Sequence, residues 1–309
     1  MAAPTIATAP AGRRVNRRRM RWLVHVGLIL ACLLVTGPIL FTLVKATQTT
    51  VQVMSPSVIP GAELWHNIKG AWAGSDFGIY TRNSLIIALA VTFGKTLFSL
   101  MAGMALVYFR IPFKPIVFGF ILLTLMMPTQ VLIVGLFDLV SKHPPPTWAA
   151  LFSWIGHPLA PTPYGFNWSD SYWAIIVPFL ASATGVFLFH QHFMSIPLSL
   201  ADAAKIDGAG PLRFLMSILV PMSTNTIGAL AVIQFVYVWN QYLWPLVIIR
   251  RVNRQVVQVG LNTLIGTGVQ DIQWGVVMAG AILALIPPLI VFMLLQEQFM
   301  RGFALSAEK

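Results

Sequence analysis

Six apolar stretches, separated by polar segments, set the main limit on what this chain can become. They run over 22–44, 83–107, 115–139, 172–194, 221–249 and 274–295. Each is close to the ~20 residues that carry a helix across a bilayer. The 309 residues are 57% hydrophobic and 9% charged, with a mean hydropathy of +0.77. A soluble domain carries about a quarter charged residues. An ordinary soluble globular fold and a disordered chain are both excluded. The predicted class is all-α: a polytopic membrane protein with about six transmembrane helices. Cys32 is the one cysteine, which excludes an intramolecular disulfide framework and a cysteine-rich metal site.

The formal net charge of +11 is concentrated at one end. Arg13, Arg14, Arg17, Arg18, Arg19 and Arg21 share a nine-residue window with no acid near them. Residues 1–21 read as a basic tail and 22–309 as the membrane domain. A secretory signal would need an apolar core of only about 7–15 residues. This run is longer and lacks a small-x-small cleavage site. A lipoprotein signal would use Cys32, but the bulky Leu30 fits poorly ahead of it. The remaining reading is a first membrane helix held with its N-terminus in the cytoplasm by the positive-inside effect. The arginines then face anionic lipid rather than nucleic acid.

Alternation places the C-terminus, the Arg110–Lys114 turn and the stretch 195–221 in the cytoplasm. It places 45–82, 140–171 and 250–273 outside. Arg250, Arg251 and Arg254 run mildly against the rule, and the six tail arginines outweigh them. Trp148, Trp154, Trp168 and Trp173 cluster around the second outside loop, as aromatic belts do. Its six prolines point to an ordered cap without long helices. Within the spans lie Pro128, Pro178, Pro245, Pro287 and Pro288. They are tolerable where neighbouring helices or water satisfy the freed carbonyls.

Proton-coupled carriers place Asp, Glu or His inside their helices. The five downstream spans have no carboxylate near the bilayer centre. Asp138 sits at the end of the third. His190 and His192, two apart, face different ways on a helix, so they read as structural or interfacial rather than as a metal pair. Phe93-Gly94-Lys95-Thr96 ends like a phosphate-binding loop, but Leu89 stands where its first glycine should be. If the chain transports actively, the energy comes from a partner.

The stretch between the fourth and fifth spans is more specific. It reads Leu200-Ala201-Asp202-Ala203-Ala204-Lys205-Ile206-Asp207-Gly208-Ala209-Gly210-Pro211 and closes at Ile218-Leu219-Val220-Pro221. Two short helices around a glycine turn are predicted, with Pro197 and Pro211 at helix starts. Ala203 and Ala204 keep the first helix slim, and Asp202, Lys205, Asp207 and Arg213 give it a polar rim. The alternatives are a helix lying on the membrane surface and a helix that docks in a partner's groove.

This segment resembles the coupling loop of ABC importer permeases, which docks on the ATPase subunit. The family pattern is Glu-Ala-Ala, three residues, Gly, nine residues, then Ile-x-Leu-Pro. Asp202-Ala203-Ala204, Gly208 and Ile218-Leu219-Val220-Pro221 keep every spacing, with Asp202 for Glu and Val220 for Leu. Asn83-Ser84-Leu85, Tyr108-Phe109-Arg110-Ile111-Pro112-Phe113 and Trp239 to Leu246 are similar to the carbohydrate-importing branch. Thr92-Phe93-Gly94-Lys95, Ala181-Ser182-Ala183-Thr184 and Phe299-Met300-Arg301-Gly302 look most like its sn-glycerol-3-phosphate permeases. The outside loop 140–171 is longer than that pattern.

The resemblance implies a type I importer permease in the bacterial inner membrane that catalyses no covalent reaction. It implies a second permease in a heterodimer, two ATPase subunits and a periplasmic binding protein. ATP and magnesium would sit on the ATPase, with no cofactor on this chain. Asp202, Ala203, Ala204, Asp207, Gly208 and Pro221 are the expected ATPase-coupling residues. The expected cargo is sn-glycerol 3-phosphate and related glycerophosphodiesters, with a neutral sugar as the alternative.

Lys95 is the charged residue nearest the middle of a downstream span, at an insertion cost of about 2.5–3.5 kcal/mol. Either it faces the pathway and attracts a phosphate as a point charge, or it snorkels or pairs with a partner carbonyl. Trp239, Asn240, Gln241 and Tyr242 offer aromatic faces and amides suited to a polyol, or else helix packing. Gln130, beside Pro128, is a further pathway candidate. Gly260 to Gly268 reads as a flexible loop or, by resemblance, as a segment reaching toward the binding protein's ligand cleft. A membrane enzyme lacks a nucleophile–base or metal constellation here, and a passive channel would show uptake without ATP.

Overall fold

The computed structural model describes residues 17–74, 76–141, 166–265 and 272–304, and within them the regular structure is entirely helical. Helix α1 (Arg17–Ala46) presents apolar residues such as Leu34 outward, as a lipid-facing helix does. The next segment is more folded than a loop: α2 (Thr50–Met54) and α3 (Leu64–Gly74) precede α4 (Phe77–Tyr108). Buried Lys45 organises it, its Nζ donating to the carbonyls of Val53 (3.2 Å), Ser55 (2.8 Å) and Ser57 (2.8 Å). Helix α4 starts six residues before the predicted span and is the central post of the bundle. It packs against α3 and against the helices over Ala183–Met194, Thr224–Trp239 and Val257–Leu264.

The expected third span is two helices, α5 (Lys114–Leu125) and α6 (Thr129–Val140), bent by 104°. Pro128 caps α6 from an extended conformation, and a proline disfavours helical backbone in the residue before it. Most of the 140–171 cap lies outside the described residues, so its predicted order is not addressed. Its end is tied down, with the N–H groups of Phe166 and Trp168 donating to the carbonyls of Leu139 and Val140.

The fourth span is interrupted. Helix α7 (Tyr172–Ile176) passes through a tight 3-10 turn at Val177–Phe179, and α8 (Ala183–Met194) restarts with Ser182 as its N-cap. Helix α9 (Leu198–Ile206), α10 (Pro211–Phe214), a π turn (Leu215–Leu219) and α11 (Val220–Met222) follow. The chain then bends by 81° into α12 (Thr224–Trp239). At the bend Pro221 lacks an N–H, and the Ser223 hydroxyl donates to the Leu219 carbonyl at 2.6 Å.

The predicted fifth span breaks again at 240–242 before α13 (Leu243–Ile248). Asn240 Nδ2 donates to the Val236 carbonyl, which the Asn240 N–H also uses, and Pro245 has no N–H for Gln241. Helix α14 (Val257–Leu264) and the long α15 (Trp274–Ala304) complete the order. Helix α15 packs on α1, α3 and α12. Gly260, expected to begin a loop, is inside α14, and the rest of that stretch beyond Ile265 lies largely outside the described residues. A Cβ at Gly260 would lie 2.1 Å from Cδ2 of buried Tyr80, so the helix approaches α4 only with glycine there.

One end of the bundle is closed by a polar knot. Asn83 Nδ2 donates to the carbonyls of Asn253 (2.9 Å) and Gln255 (3.0 Å), while its Oδ1 accepts from the Tyr172 hydroxyl (2.8 Å). Ser84 Oγ accepts from the Val257 N–H. Asp170 Oδ1 accepts from the N–H groups of Arg250 and Arg251, Arg251 pairs with Asp170 Oδ2 at 2.8 Å, and Arg254 donates to the Asp170 carbonyl. The arginines that ran against the charge rule therefore join two loops.

Gly260→Ala separates two opposing effects. Alanine favours a helix by about 1 kcal/mol over glycine, whereas overpacking costs about 1–3 kcal/mol. A lower unfolding temperature in detergent is expected; a rise would contradict the close approach to Tyr80.

Candidate functional site

Two apolar cores lie along the bundle. One contains Ile87, Val91, Phe235 and Trp239, and the other contains Leu100, Phe189, Leu219 and Leu230. The residues between them are polar: Thr92, Lys95 and Ser99 on α4 and Gln234 on α12, all buried. Lys95 is only 6% exposed. Its Nζ donates to Gln234 Oε1 at 2.9 Å and lies 5.0 Å from the centre of the Tyr237 ring. Gln234 Nε2 donates onward to Ser182 Oγ at 3.3 Å. Ser182 Oγ also accepts from the Gly185 N–H at 3.1 Å, capping α8.

These groups face a cavity of about 570 Å³. Lys95, Gln234 and Tyr237 form one wall, Ser182 and Thr184 at the break in the fourth span another, and Leu125 and Met127 at the α5–α6 bend a third. Among the described residues no carboxylate lines it. A buried lysine beside neutral partners gives a small chamber with net positive charge and an apolar floor. Phe93-Gly94-Lys95-Thr96 is plain helix within α4, not a phosphate-binding loop.

The other expected pathway residues do not join Lys95 in this chamber. Trp239 is 1% exposed and stacks on Phe235, with ring centroids 5.7 Å apart. Its Nε1 donates to the Ala284 carbonyl at 3.0 Å, the carbonyl that Pro288, four residues on, cannot reach. In this chain Trp239 thus packs in the first core and caps the Ala284 carbonyl, outside the chamber that Lys95 lines. Trp244 does the same for the Ala174 carbonyl, freed by Pro178. Asn240 is exposed and accepts from Gln258 Nε2 at 3.1 Å. Gln241 sits half-buried in the helix break, and exposed Gln130 lies beside the α5–α6 bend without lining the chamber. Gln234, Ser182 and Tyr237 were missed as site residues. The available signal was an amide in the middle of an apolar run, which is costly unless partnered. His190 stacks on Phe118 at 4.1 Å.

The segment 195–221 forms a second site. Helix α9 turns Ala201 and Ala204 into the second core and leaves Asp202, Ala203, Lys205 and Ile206 exposed. Ala204 thus packs inward, so the slim outer face belongs to Ala203 alone. Asp202 and Lys205 pair at 3.1 Å in the open. Gly208 has φ +72°, its N–H donates to the Lys205 carbonyl, and the Ala209 N–H donates to the Ala204 carbonyl at 2.8 Å. Those two bonds make a Schellman stop, which favours glycine. Asp207 is the C-cap, Pro211 opens α10, and exposed Pro221 marks the bend toward α12.

Comparison with known proteins supplies the context. The family model of the binding-protein-dependent transport system inner membrane component matches residues 95–304. The sn-glycerol-3-phosphate transport system permease protein UgpE of Pectobacterium atrosepticum is 37% identical over 295 residues, covering 93% of this chain and 97% of the relative. UgpE of Yersinia pestis is 38% identical with the same coverage, and UgpE of Salmonella choleraesuis is 36% identical. A bacterial ABC transporter chain involved in import of the acidic polysaccharide alginate superposes with TM-score 0.72 at 18% identity, over 94% of this chain and 99% of that one. A chain of an alginate ABC transporter in complex with an alginate pentasaccharide-bound periplasmic protein gives 0.62 at 16%, over 94% and 98%. The fold is that of an ABC importer permease.

Trp239→Phe removes the donor that satisfies Ala284. An unsatisfied buried carbonyl costs about 1–3 kcal/mol, so a lower unfolding temperature with an unchanged KM for uptake is expected. A raised KM with unchanged stability would return Trp239 to the pathway.

Proposed function

The chain belongs to the inner membrane components of binding-protein-dependent transport systems, a transport subunit rather than an enzyme, and from that membership we propose that its cargo is sn-glycerol 3-phosphate. Relatives named for that cargo, 36–38% identical over nearly the whole chain, support the reading. The observation that carries it is Lys95: a charged residue near the middle of α4, lining a chamber to which no carboxylate of the described residues contributes. An ammonium there attracts the phosphate as a point charge. The apolar wall faces the carbon chain, and the chamber's ~570 Å³ lies within the range of small-molecule sites.

The working unit is a heterodimer with a second permease, two ATPase subunits and a periplasmic binding protein. ATP and magnesium bind the ATPases, and this chain holds neither. The basic N-terminal tail and the C-terminus lie in the cytoplasm with the 195–221 segment. Helix α9 docks its exposed face, Asp202 and Ala203 foremost, on the ATPase. Asp207 and Gly208 fix the turn that follows, and the bend at Pro221 carries the movement into α12, which holds Gln234. ATPase closure rocks the spans outward, the binding protein delivers its ligand, and the cargo crosses past Lys95.

Two substitutions test this. Lys95→Met leaves assembly intact. A lost charge-assisted contact is worth about 1.5–3 kcal/mol, so uptake at limiting substrate falls about ten-fold or more. Normal uptake contradicts the phosphate role. Competition by sn-glycerol 3-phosphate and not by a neutral disaccharide is expected, and the reverse would make the cargo a sugar. Ala203→Trp places bulk on the exposed face of α9 and should abolish co-purification of the ATPase without unfolding the permease. Retained ATPase binding would move the docking surface elsewhere.

A further inference from the structure

Intramembrane lysines usually pair with one another's opposite charges or with backbone carbonyls. Lys95 is paired with a carboxamide instead. Gln234 Oε1 accepts from Lys95 Nζ at 2.9 Å, and Gln234 Nε2 is fixed by donating to Ser182 Oγ at 3.3 Å. An amide at that distance orients an ammonium without cancelling its charge. A carboxylate of the same shape would form a buried ion pair, strengthened by low dielectric. An incoming anion would then have to displace it.

An ammonium has three N–H donors. Gln234 takes one, and the Tyr237 ring lies 5.0 Å away. Donor capacity therefore remains toward the chamber. Beside it lies the break in the fourth span, where Ser182 caps α8 and Thr184 also lines the chamber. The first N–H groups of a helix have no partner within it, and that end carries partial positive charge. Transporters use the N-termini of broken helices toward anionic groups. Ser182 belongs to both halves, holding Gln234 on one side and starting α8 on the other.

We infer that Gln234 is the charge-specificity residue of the chamber: anchored by Ser182, it holds the Lys95 ammonium beside the break in the fourth span and leaves its charge uncompensated, so that the chamber selects a small polyol carrying an anionic phosphate over a neutral polyol. This rests on the reading of Lys95 as the phosphate contact. Gln234 acts through Lys95 and is a positioning residue.

The test compares Gln234→Glu with Gln234→Leu in the complete importer in proteoliposomes. Uptake of labelled sn-glycerol 3-phosphate is measured, with binding-protein-stimulated ATP hydrolysis as the check on assembly. A mere tie between α4 and α12 predicts that leucine, which breaks it, is the worse variant. Charge selection predicts the opposite order. Glutamate should lower uptake about ten-fold or more by neutralising Lys95, and leucine only about two- to three-fold through a raised KM. Ser182→Asp keeps an N-cap and adds a carboxylate to the chamber next to Gln234, so it should repeat the glutamate loss. It decides the matter if Gln234→Glu does not assemble. Leucine equal to or worse than glutamate, or wild-type uptake in Ser182→Asp, overturns the inference. Lys95→Met run alongside keeps the two readings apart. If that variant transports normally, the phosphate contact itself fails. If it is impaired while Gln234→Glu is normal, only the role of Gln234 fails.

Discussion

A backbone carbonyl inside a membrane has no water to turn to, and this fold is arranged around that constraint. Pro178 falls in the break of the fourth span and Pro288 inside the unbroken last helix, each freeing a carbonyl one turn earlier. In both places a tryptophan from the fifth segment supplies the missing donor: Trp244 to Ala174 and Trp239 to Ala284. The fifth segment is thereby tied to both spans at the points where proline removes a ladder bond. Each indole buries a large apolar body in the first core at the same time.

The breaks have a consequence for chemistry. The third span bends at Pro128 and the fourth is interrupted by a 3-10 turn near Pro178, and residues from both breaks line the chamber. That chamber admits polar groups that a continuous helix bundle would exclude. Lys95 enters it from α4, Gln234 from α12 and Ser182 from the restart of the fourth span. At the other end of α12, the π turn, Pro221 and Ser223 produce the 81° bend that links the exposed α9 face to the helix carrying Gln234. The chamber and the 195–221 segment are thus joined through one element.

What was legible in the sequence follows from the range of each cause. The spans were readable because burial in lipid acts on every residue of a run. The coupling segment was readable almost residue by residue because Gly208 and Pro211 dictate backbone locally. The Schellman stop and the start of α10 fall where they were predicted. The helix breaks were only half legible: the prolines were visible, but the donors that satisfy them sit 45 and 70 residues away. That distance also hid the bond from Trp239 to Ala284. Lys95 stood out as a charge in an apolar run, whereas its partner Gln234, 139 residues on, gave no periodic signal. Asn240, Gln241 and Gln130 were singled out for composition, and composition does not say which way a side chain turns.

The most direct measurement is the sign of the charge in the chamber of the assembled importer. Thr184 lines it beside Ser182, and Cys32 is the one cysteine to remove. With Cys32→Ser and Thr184→Cys, the labelling rates of an anionic and a cationic thiol reagent of equal size are compared, with and without sn-glycerol 3-phosphate. The account predicts that the anionic reagent reacts faster, that Lys95→Met removes this preference, and that the substrate slows labelling. Equal rates for both reagents with no protection by substrate would contradict it.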